Sequence, residues 1–88
     1  MTDRVFVTAG DWAVASDGIQ WILMRRWKDG QWRGVSFVRS TKDILARCMR
    51  EKGVEPGTAD LLLAGLPETF DQWKSLHQGL LRPAEAAG

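Results

Sequence analysis

Apolar residues in this chain are concentrated in three short segments between positions 11 and 39, and two Asp-Gly dipeptides separate these segments. The dipeptides are Asp17-Gly18 and Asp29-Gly30. An Asp-Gly pair between strand-forming residues favours a two-residue type I′ turn, because both central positions of that turn need positive φ. The pattern therefore predicts a three-stranded antiparallel meander over residues 11–39.

Two-residue turns would also set the register of these strands. Trp27 would face Trp32 in the second hairpin, and Val14 would face Trp21 in the first. Side chains alternate between the two faces of a strand, so this register separates them into two sets. The tryptophan face holds the larger residues: Trp12, Val14, Trp21, Leu23, Trp27, Trp32 and Val38. The second face holds a smaller apolar group with arginines at its margins: Ala13, Ile22, Met24, Val35, Phe37, Arg26, Arg33 and Arg39.

The central strand, over residues 19–27, is apolar on both of its faces. A strand of an antiparallel sheet with one face in water alternates between apolar and polar residues. Either both faces of this sheet are covered, or one of them is free for a partner. The tryptophan face is the larger one and is predicted to form the internal core, although a slip of one residue would exchange the two sets.

Helical signals follow the meander. Ser40 is a suitable N-cap for a helix over residues 41–52, and Gly53 is a suitable C-terminal stop. Thr58 is predicted to cap a second helix over residues 59–64.

A third helix is predicted to begin at Pro67, whose fixed φ suits the first position of a helix. Phe70, Trp73 and Leu76 then recur at helical spacing and form an apolar stripe. At the other end of the chain, residues 5–7 are apolar and allow a fourth strand.

Strands followed by helices indicate the α+β class, with the helices on one face of the sheet. The predicted fold is a three-stranded, or with the N-terminal segment four-stranded, antiparallel β-meander followed by two or three α-helices. One small domain would span residues 1–80, and residues 81–88 would form a flexible C-terminal tail.

Composition narrows the possible functions. The chain has 88 residues and a net charge of +1, which excludes an acidic DNA mimic and provides no overall basic attraction to nucleic acid. Its one cysteine allows neither an internal disulfide nor a cysteine-based zinc site and fits a reducing compartment. Neither a signal peptide nor a membrane span is recognisable. We therefore expect a soluble cytoplasmic protein with no membrane partner.

No catalytic, metal-binding or cofactor-binding pattern emerges from the sequence. His77 is the single histidine, and Cys48 falls on the apolar stripe of the first predicted helix. The acidic residues are scattered, and the chain has no glycine-rich phosphate loop. We therefore expect no cofactor and no enzymatic activity.

The second hairpin is one candidate binding site, because basic and aromatic residues alternate in it. Cations hold phosphates, and indole rings stack on bases. The candidate nucleic-acid-binding residues are Arg25, Arg26, Trp27, Lys28, Trp32 and Arg33. The structural alternative is a cross-strand pair of Trp27 and Trp32, with the arginines solvating the hairpin. In this register Arg26 and Arg33 would face each other, which is unfavourable unless an anion lies nearby.

The second face of the sheet is another candidate, because an exposed apolar strip with a charged rim is typical of a protein interface. Its predicted centre is Ile22, Met24, Val35 and Phe37, and its predicted rim is Arg25, Arg26 and Arg33. The third helix or the N-terminal segment could instead cover this strip. The strand edge at residues 35–38 could also accept a strand from another chain.

Residues 11–53 also contain, in this order, a strand, a run of the form S-D-x-x-Q-W-I-L, a glycine-containing turn, a second strand, and a helix with a serine cap. The residues that carry this pattern are Ser16, Asp17, Gln20, Trp21, Ile22, Leu23, Gly30, Ser40, Ile44, Leu45 and Arg50. In this span the chain resembles short phage and prophage accessory proteins of unknown function. The resemblance implies a phage or mobile-element setting inside a bacterial host and implies no particular activity.

These observations lead to a first hypothesis and an alternative. The first is a small phage-type accessory protein that binds and sterically blocks or modulates a host protein machine, with a CRISPR effector complex as one candidate target. The partner would be a host or a phage protein, and a homodimer through the same surface is also compatible with this hypothesis. The alternative is a nucleic-acid-binding module that uses the hairpin 25–33. A purely structural component of a virion or replication complex cannot be separated from the first hypothesis by sequence.

Overall fold

The computed structural model describes residues 4–76, which form a four-stranded antiparallel sheet followed by three helical segments. The strands are neighbours in chain order: β1 (Arg4–Ala9), β2 (Trp12–Ser16), β3 (Trp21–Arg26) and β4 (Trp32–Val38). The predicted α+β meander is confirmed, with the N-terminal segment as its fourth strand.

The helices are α1 (Lys42–Lys52), α2 (Pro56–Leu63) and α3, which covers the described residues 70–76. The predicted tail at residues 81–88, the end of the third helix and His77 lie outside the described residues.

Helix α1 has a different N-cap from the predicted Ser40. The hydroxyl oxygen of Thr41 accepts a hydrogen bond from the backbone N–H of Ile44 at 3.3 Å. The carbonyl of Ser40 instead accepts from the N–H of Phe70 at 3.0 Å, which keeps the chain extended for one residue more. At the other end, Gly53 has a φ of 92° and ends the helix as predicted.

The starts of the other two helices also differ from the predictions. Helix α2 begins at Pro56, three residues before the predicted start, and Thr58 lies inside it. The ring of Pro56 suits the first turn of a helix, which the sequence prediction from Thr58 did not take into account. Helix α3 begins at a capping box and not at Pro67. Thr69 and Gln72 form this box through reciprocal side chain to backbone hydrogen bonds of 3.1 Å.

Neither hairpin contains the predicted type I′ turn, because only glycines have positive φ among the described residues. In the second hairpin the N–H of Gly30 donates to the carbonyl of Trp27 at 2.8 Å, and the N–H of Trp27 donates to the carbonyl of Gln31 at 2.9 Å. This is a three-residue loop in which Gly30, with a φ of 83°, takes the left-handed position. The Asp29 carboxylate accepts from the N–H of Gln31 at 3.0 Å.

The first hairpin has a four-residue loop, so its register differs from the prediction. Ser16 pairs with Trp21, and Val14 pairs with Leu23 instead of Trp21. The shift is by two residues, and an even shift leaves every side chain on its predicted face. Asp17 closes the loop by accepting hydrogen bonds from the N–H of Ile19 at 3.0 Å and from Nε2 of Gln20 at 2.9 Å.

A β-bulge in β4 shifts the register of the second hairpin by one residue, so some side chains change face. Leu23 pairs with Ser36 as predicted, but Met24 pairs with Gly34, so Val35 is an extra residue on β4. From the bulge to the turn, the residues of β4 lie on the face opposite to the predicted one. Val35 consequently packs against the core under the helices, and Trp32 packs on the other face.

The core lies between the sheet and the helices, on the tryptophan face, as predicted. Trp21 is fully buried at its centre and makes a T-shaped contact with Phe70 at 5.5 Å between ring centroids. Phe70 stacks on Trp73 at 5.5 Å, and Trp73 contacts Phe6 of β1 at 5.0 Å. The buried residues of this core are Val14, Trp21, Leu23, Val38, Leu45, Met49, Val54, Ala59, Leu62, Leu66, Phe70 and Trp73.

The face of the sheet opposite to the helices is called the outer face below. It carries a separate, smaller cluster of buried residues: Ala13, Ala15, Ile22 and Met24. Trp32 packs against this cluster, and no residue of the described helical segments belongs to it.

The burial of α1 predicts a large difference between two leucine truncations. Leu45 is fully buried under α1, whereas Leu61 on α2 is 66% exposed. We expect Leu45→Ala to lower the free energy of unfolding by about 2–5 kcal/mol, because it leaves a cavity in the core. The matched change Leu61→Ala should alter it by about 0.5 kcal/mol or less. Urea denaturation measures both, and equal losses would contradict the docking of α1 through Leu45.

The Asp17 loop predicts a pH dependence of stability. Hydrogen bonds from the Gln20 side chain and from the Ile19 N–H lower the pKa of Asp17 below its ordinary value of 3.8. A carboxylate with a lowered pKa in the folded state stabilises that state above its unfolded pKa, and the contribution disappears as the pH falls through the folded pKa. The stability difference between the native protein and Asp17→Ala should therefore shrink below about pH 4.

An NMR titration of the Asp17 carboxyl gives the same information directly. Its pKa should lie below 3.8 in the native protein and should rise when Gln20→Ala removes the first of the two hydrogen bonds. An unchanged pKa in Gln20→Ala would contradict this account of the loop.

Candidate functional site

The four residues predicted to form the centre of the apolar strip do not form one exposed surface. Ile22 and Met24 are 1% and 7% exposed, so they form the interior of the outer-face cluster. Val35 lies on the helix side of the sheet and packs against the main core. Of the four predicted centre residues, only Phe37 offers a largely exposed side chain, at 59%.

Phe37 lies against the outer face in a position that depends on a glycine. A Cβ atom added at Gly34 would lie 3.0 Å from Cζ of Phe37 and 3.1 Å from Cγ2 of Ile22. In a regular strand, residues three positions apart point to opposite faces. The extra residue Val35 brings Gly34 and Phe37 to the same face, and the ring can then lie along its own strand.

Arg26 on the outer face has its charge balanced within the protein. Its guanidinium makes a salt bridge of 3.3 Å to the Asp11 carboxylate and a hydrogen bond of 3.3 Å to the carbonyl of Gly10. The same guanidinium lies 5.2 Å from the centroid of the Trp32 ring. Arg26 therefore joins the β1–β2 turn to the third strand, and its own charge is paired with that of Asp11.

The helix side of the sheet carries a different arrangement at its far end, beyond the helices. The Arg25 guanidinium lies 5.4 Å from the centroid of the Trp12 ring and 5.9 Å from that of Trp27. The Arg33 guanidinium lies 5.6 Å from the Trp27 centroid. These residues form a tryptophan–arginine ladder, consisting of Trp12, Arg25, Trp27 and Arg33. Each cation is attracted by the negative faces of the rings beside it.

The ladder has more positive than negative charge around it. Arg25 and Arg33 are direct cross-strand partners, in place of the predicted pair of Arg26 and Arg33. Arg33 reaches the carboxylate of Asp29 at 3.7 Å, and both side chains are more than half exposed. Among residues 4–76, no carboxylate lies within ion-pair distance of Arg25. A shallow open depression beside the ladder is lined by Trp27, Lys28, Asp29 and Arg33.

The predicted nucleic-acid site is therefore divided between the two faces. Arg26 and Trp32 lie on the outer face, and they are direct cross-strand partners. The predicted pair of Trp27 with Trp32 does not form. Sequence reasoning missed Trp12 as a neighbour of Arg25, because the assumed turn placed Trp12 opposite Leu23. The alternation of side chains had already placed Trp12 and Trp27 on one face of the sheet, and Arg25 lies on that same face.

The exposed edge of β4 is the third predicted site. β4 is an edge strand of the sheet, and Arg33 and Arg39 at its ends are exposed. The bulge at Val35 bends this strand, which makes it a poorer template for an added strand. This edge is therefore less suited to strand addition than the sequence suggested.

Other chemistry is sparse in the part of the chain that the structure describes. No group of three or more His, Cys, Asp and Glu residues comes together there as a metal site would require. Cys48 is a half-buried free thiol that packs against the main core. No helix within residues 4–76 has the length and apolar character needed to cross a membrane.

Comparisons of the chain with protein-family models, with curated proteins and with solved structures found no match.

The contact between the Phe37 ring and Gly34 predicts that substitutions at these two positions have non-additive effects on stability. Gly34→Ala should destabilise the protein more when Phe37 is present than in a Phe37→Ala background, because the added methyl group meets the ring. Contacting residues give coupling energies of about 0.5–3 kcal/mol in such double-mutant cycles. Urea denaturation of the native protein, both single variants and the double variant measures this energy. Strictly additive effects would contradict the observed ring position.

Proposed function

We propose that this protein works by binding another protein through the outer face of its sheet, with Phe37 as the anchor. The supporting observation is the 59% exposure of this large aromatic side chain on a face that no described helix covers. Aromatic residues at the centre of an uncharged patch are the commonest source of binding energy between proteins.

The chemistry of the outer face favours a protein over a nucleic acid as the partner. Val5, on β1, adds a second exposed apolar side chain at 37% exposure and lies opposite Ala15. The charge of Arg26 is balanced by Asp11. A phosphate group would have to compete with Asp11 for Arg26, whereas an apolar protein surface would lose little solvation energy by docking. Trp32 and Arg26 then form a polar rim on one side of Phe37.

The proposed mode of action is steric. In the part of the chain that the structure describes, nothing resembles a catalytic group activated by its surroundings. A rigid sheet can still occupy a surface that a larger machine needs. The resemblance to phage and prophage accessory proteins supports a host protein as the partner, and a CRISPR effector complex is one candidate.

The test compares two aspartate substitutions of exposed apolar residues. Phe37→Asp should leave the fold intact and weaken the complex at least about 10-fold, because it removes a central anchor. Leu61→Asp, on α2 and 66% exposed, is the matched control and should bind as the native protein does. A partner captured from bacterial cells is first identified, then purified, and its dissociation constants for the three proteins are measured by calorimetry.

Each outcome bears on the proposal. Equal affinities of Phe37→Asp and the native protein would overturn the outer face as the interface. Unfolding of Phe37→Asp, detected by circular dichroism, would make Phe37 a core residue and also contradict the proposal. A dimer that is lost in Phe37→Asp would show that the outer face serves self-association, which sedimentation equilibrium of the purified protein detects.

A further inference from the structure

We propose that the tryptophan–arginine ladder is a second binding site, and that it takes single-stranded nucleic acid. The site lies on the helix side of the sheet, so it is separate from the outer face. Trp27 would stack on a base, while Arg25, Arg33 and Lys28 would contact the flanking phosphates. Trp12 would support Arg25 from the opposite side.

The strongest observation is the pairing of two cations without enough negative charge to balance them. Arg25 and Arg33 face each other directly across two strands. Like charges in this position destabilise a sheet. Among residues 4–76, the one carboxylate within ion-pair distance of either guanidinium is that of Asp29, which reaches Arg33 at 3.7 Å and is more than half exposed. A phosphate between the two guanidinium groups would relieve the repulsion with charge-assisted hydrogen bonds.

The aromatic component distinguishes this site from a simple anion site. Trp27 is 45% exposed at the edge of the depression beside the ladder. An exposed indole ring costs solvation energy when it has no apolar partner, and a nucleobase covers such a ring well. The Arg33 guanidinium lies over part of this ring. A stacked base would replace it there, and Arg33 would turn to the phosphate.

The geometry favours a single strand over a duplex. Stacking requires base faces that are free, and a double helix hides them between neighbouring base pairs. The ladder is also short and lies at the end of one hairpin, so it would contact only a few nucleotides. With a net charge of +1 for the whole chain, the attraction would be local and sensitive to salt.

The experiment is fluorescence anisotropy with a labelled oligothymidylate of about 15 nucleotides and a duplex of the same length. Titrations are made at about 50 and 200 mM salt. The native protein should bind the single strand more tightly than the duplex. Arg25→Gln/Arg33→Gln should bind it at least about 10-fold more weakly at the lower salt concentration, since each lost phosphate contact reduces the electrostatic affinity.

The matched control is Arg47→Gln/Arg50→Gln, which removes the same charge from exposed positions on α1. It should retain nearly all of the native affinity. Trp27→Leu, which keeps the charge, should bind about 5-fold to 100-fold more weakly if a base stacks on the ring. Phe37→Asp should bind the oligonucleotide like the native protein, so the two proposed sites are tested independently.

Several results would overturn the proposal. One is the absence of oligonucleotide binding at low salt. Another is an equal loss of affinity in the two double-arginine variants, which would show general charge attraction only. Equal affinity for single strand and duplex would remove the stacking role of Trp27. Tighter binding of a polyglutamate peptide than of the oligonucleotide, dependent on Arg25 and Arg33, would assign the ladder to an acidic protein partner instead.

Discussion

The arrangement of the whole sheet depends on one extra residue in each of its edge strands. Phe6 in β1 and Val35 in β4 are the unpaired residues of two bulges, and both pack against the core on the helix side. Each bulge breaks the two-residue alternation and so adds one apolar side chain to the helix side of the sheet. In β4 the same break places Gly34 and Phe37 on one face. The exposed ring of Phe37 can therefore lie over Gly34 on the outer face.

Two neighbouring arginines of the second hairpin have different surroundings because side chains alternate between the faces of a strand. Arg26 on the outer face pairs with Asp11, whereas Arg25 on the helix side contacts two tryptophan rings and has no carboxylate within ion-pair distance among residues 4–76. Adjacent residues of one strand thus have opposite surroundings. Cation–π contacts hold the guanidinium of Arg25 without neutralising its charge. Arg26 is thus paired with a carboxylate, whereas Arg25 keeps its positive charge beside the two rings.

Much of the fold was predictable from local patterns. The meander, the fourth strand, the α+β class and the helix-covered tryptophan face follow from alternation and helical spacing, which are repeated over many residues. Helix ends were less predictable, because several residues compete as caps. Thr41, and not Ser40, is the N-cap of α1, because the carbonyl of Ser40 accepts a hydrogen bond from the N–H of Phe70. Helix α3 was predicted to begin at Pro67, but it begins at the capping box of Thr69 and Gln72. The Thr-x-x-Gln pattern of this box was visible in the sequence.

The candidate surfaces show where local information ends. The sequence by itself determined which residues alternate along each strand, that Gly53 ends the first helix, and that aromatic and basic residues share the second hairpin. Only the tertiary structure decided that Val35 is an extra residue, and hence which arginine meets which ring. The reason is physical: a bulge is favoured by the packing of an edge strand against distant helices, and no local pattern in β4 carries that energy.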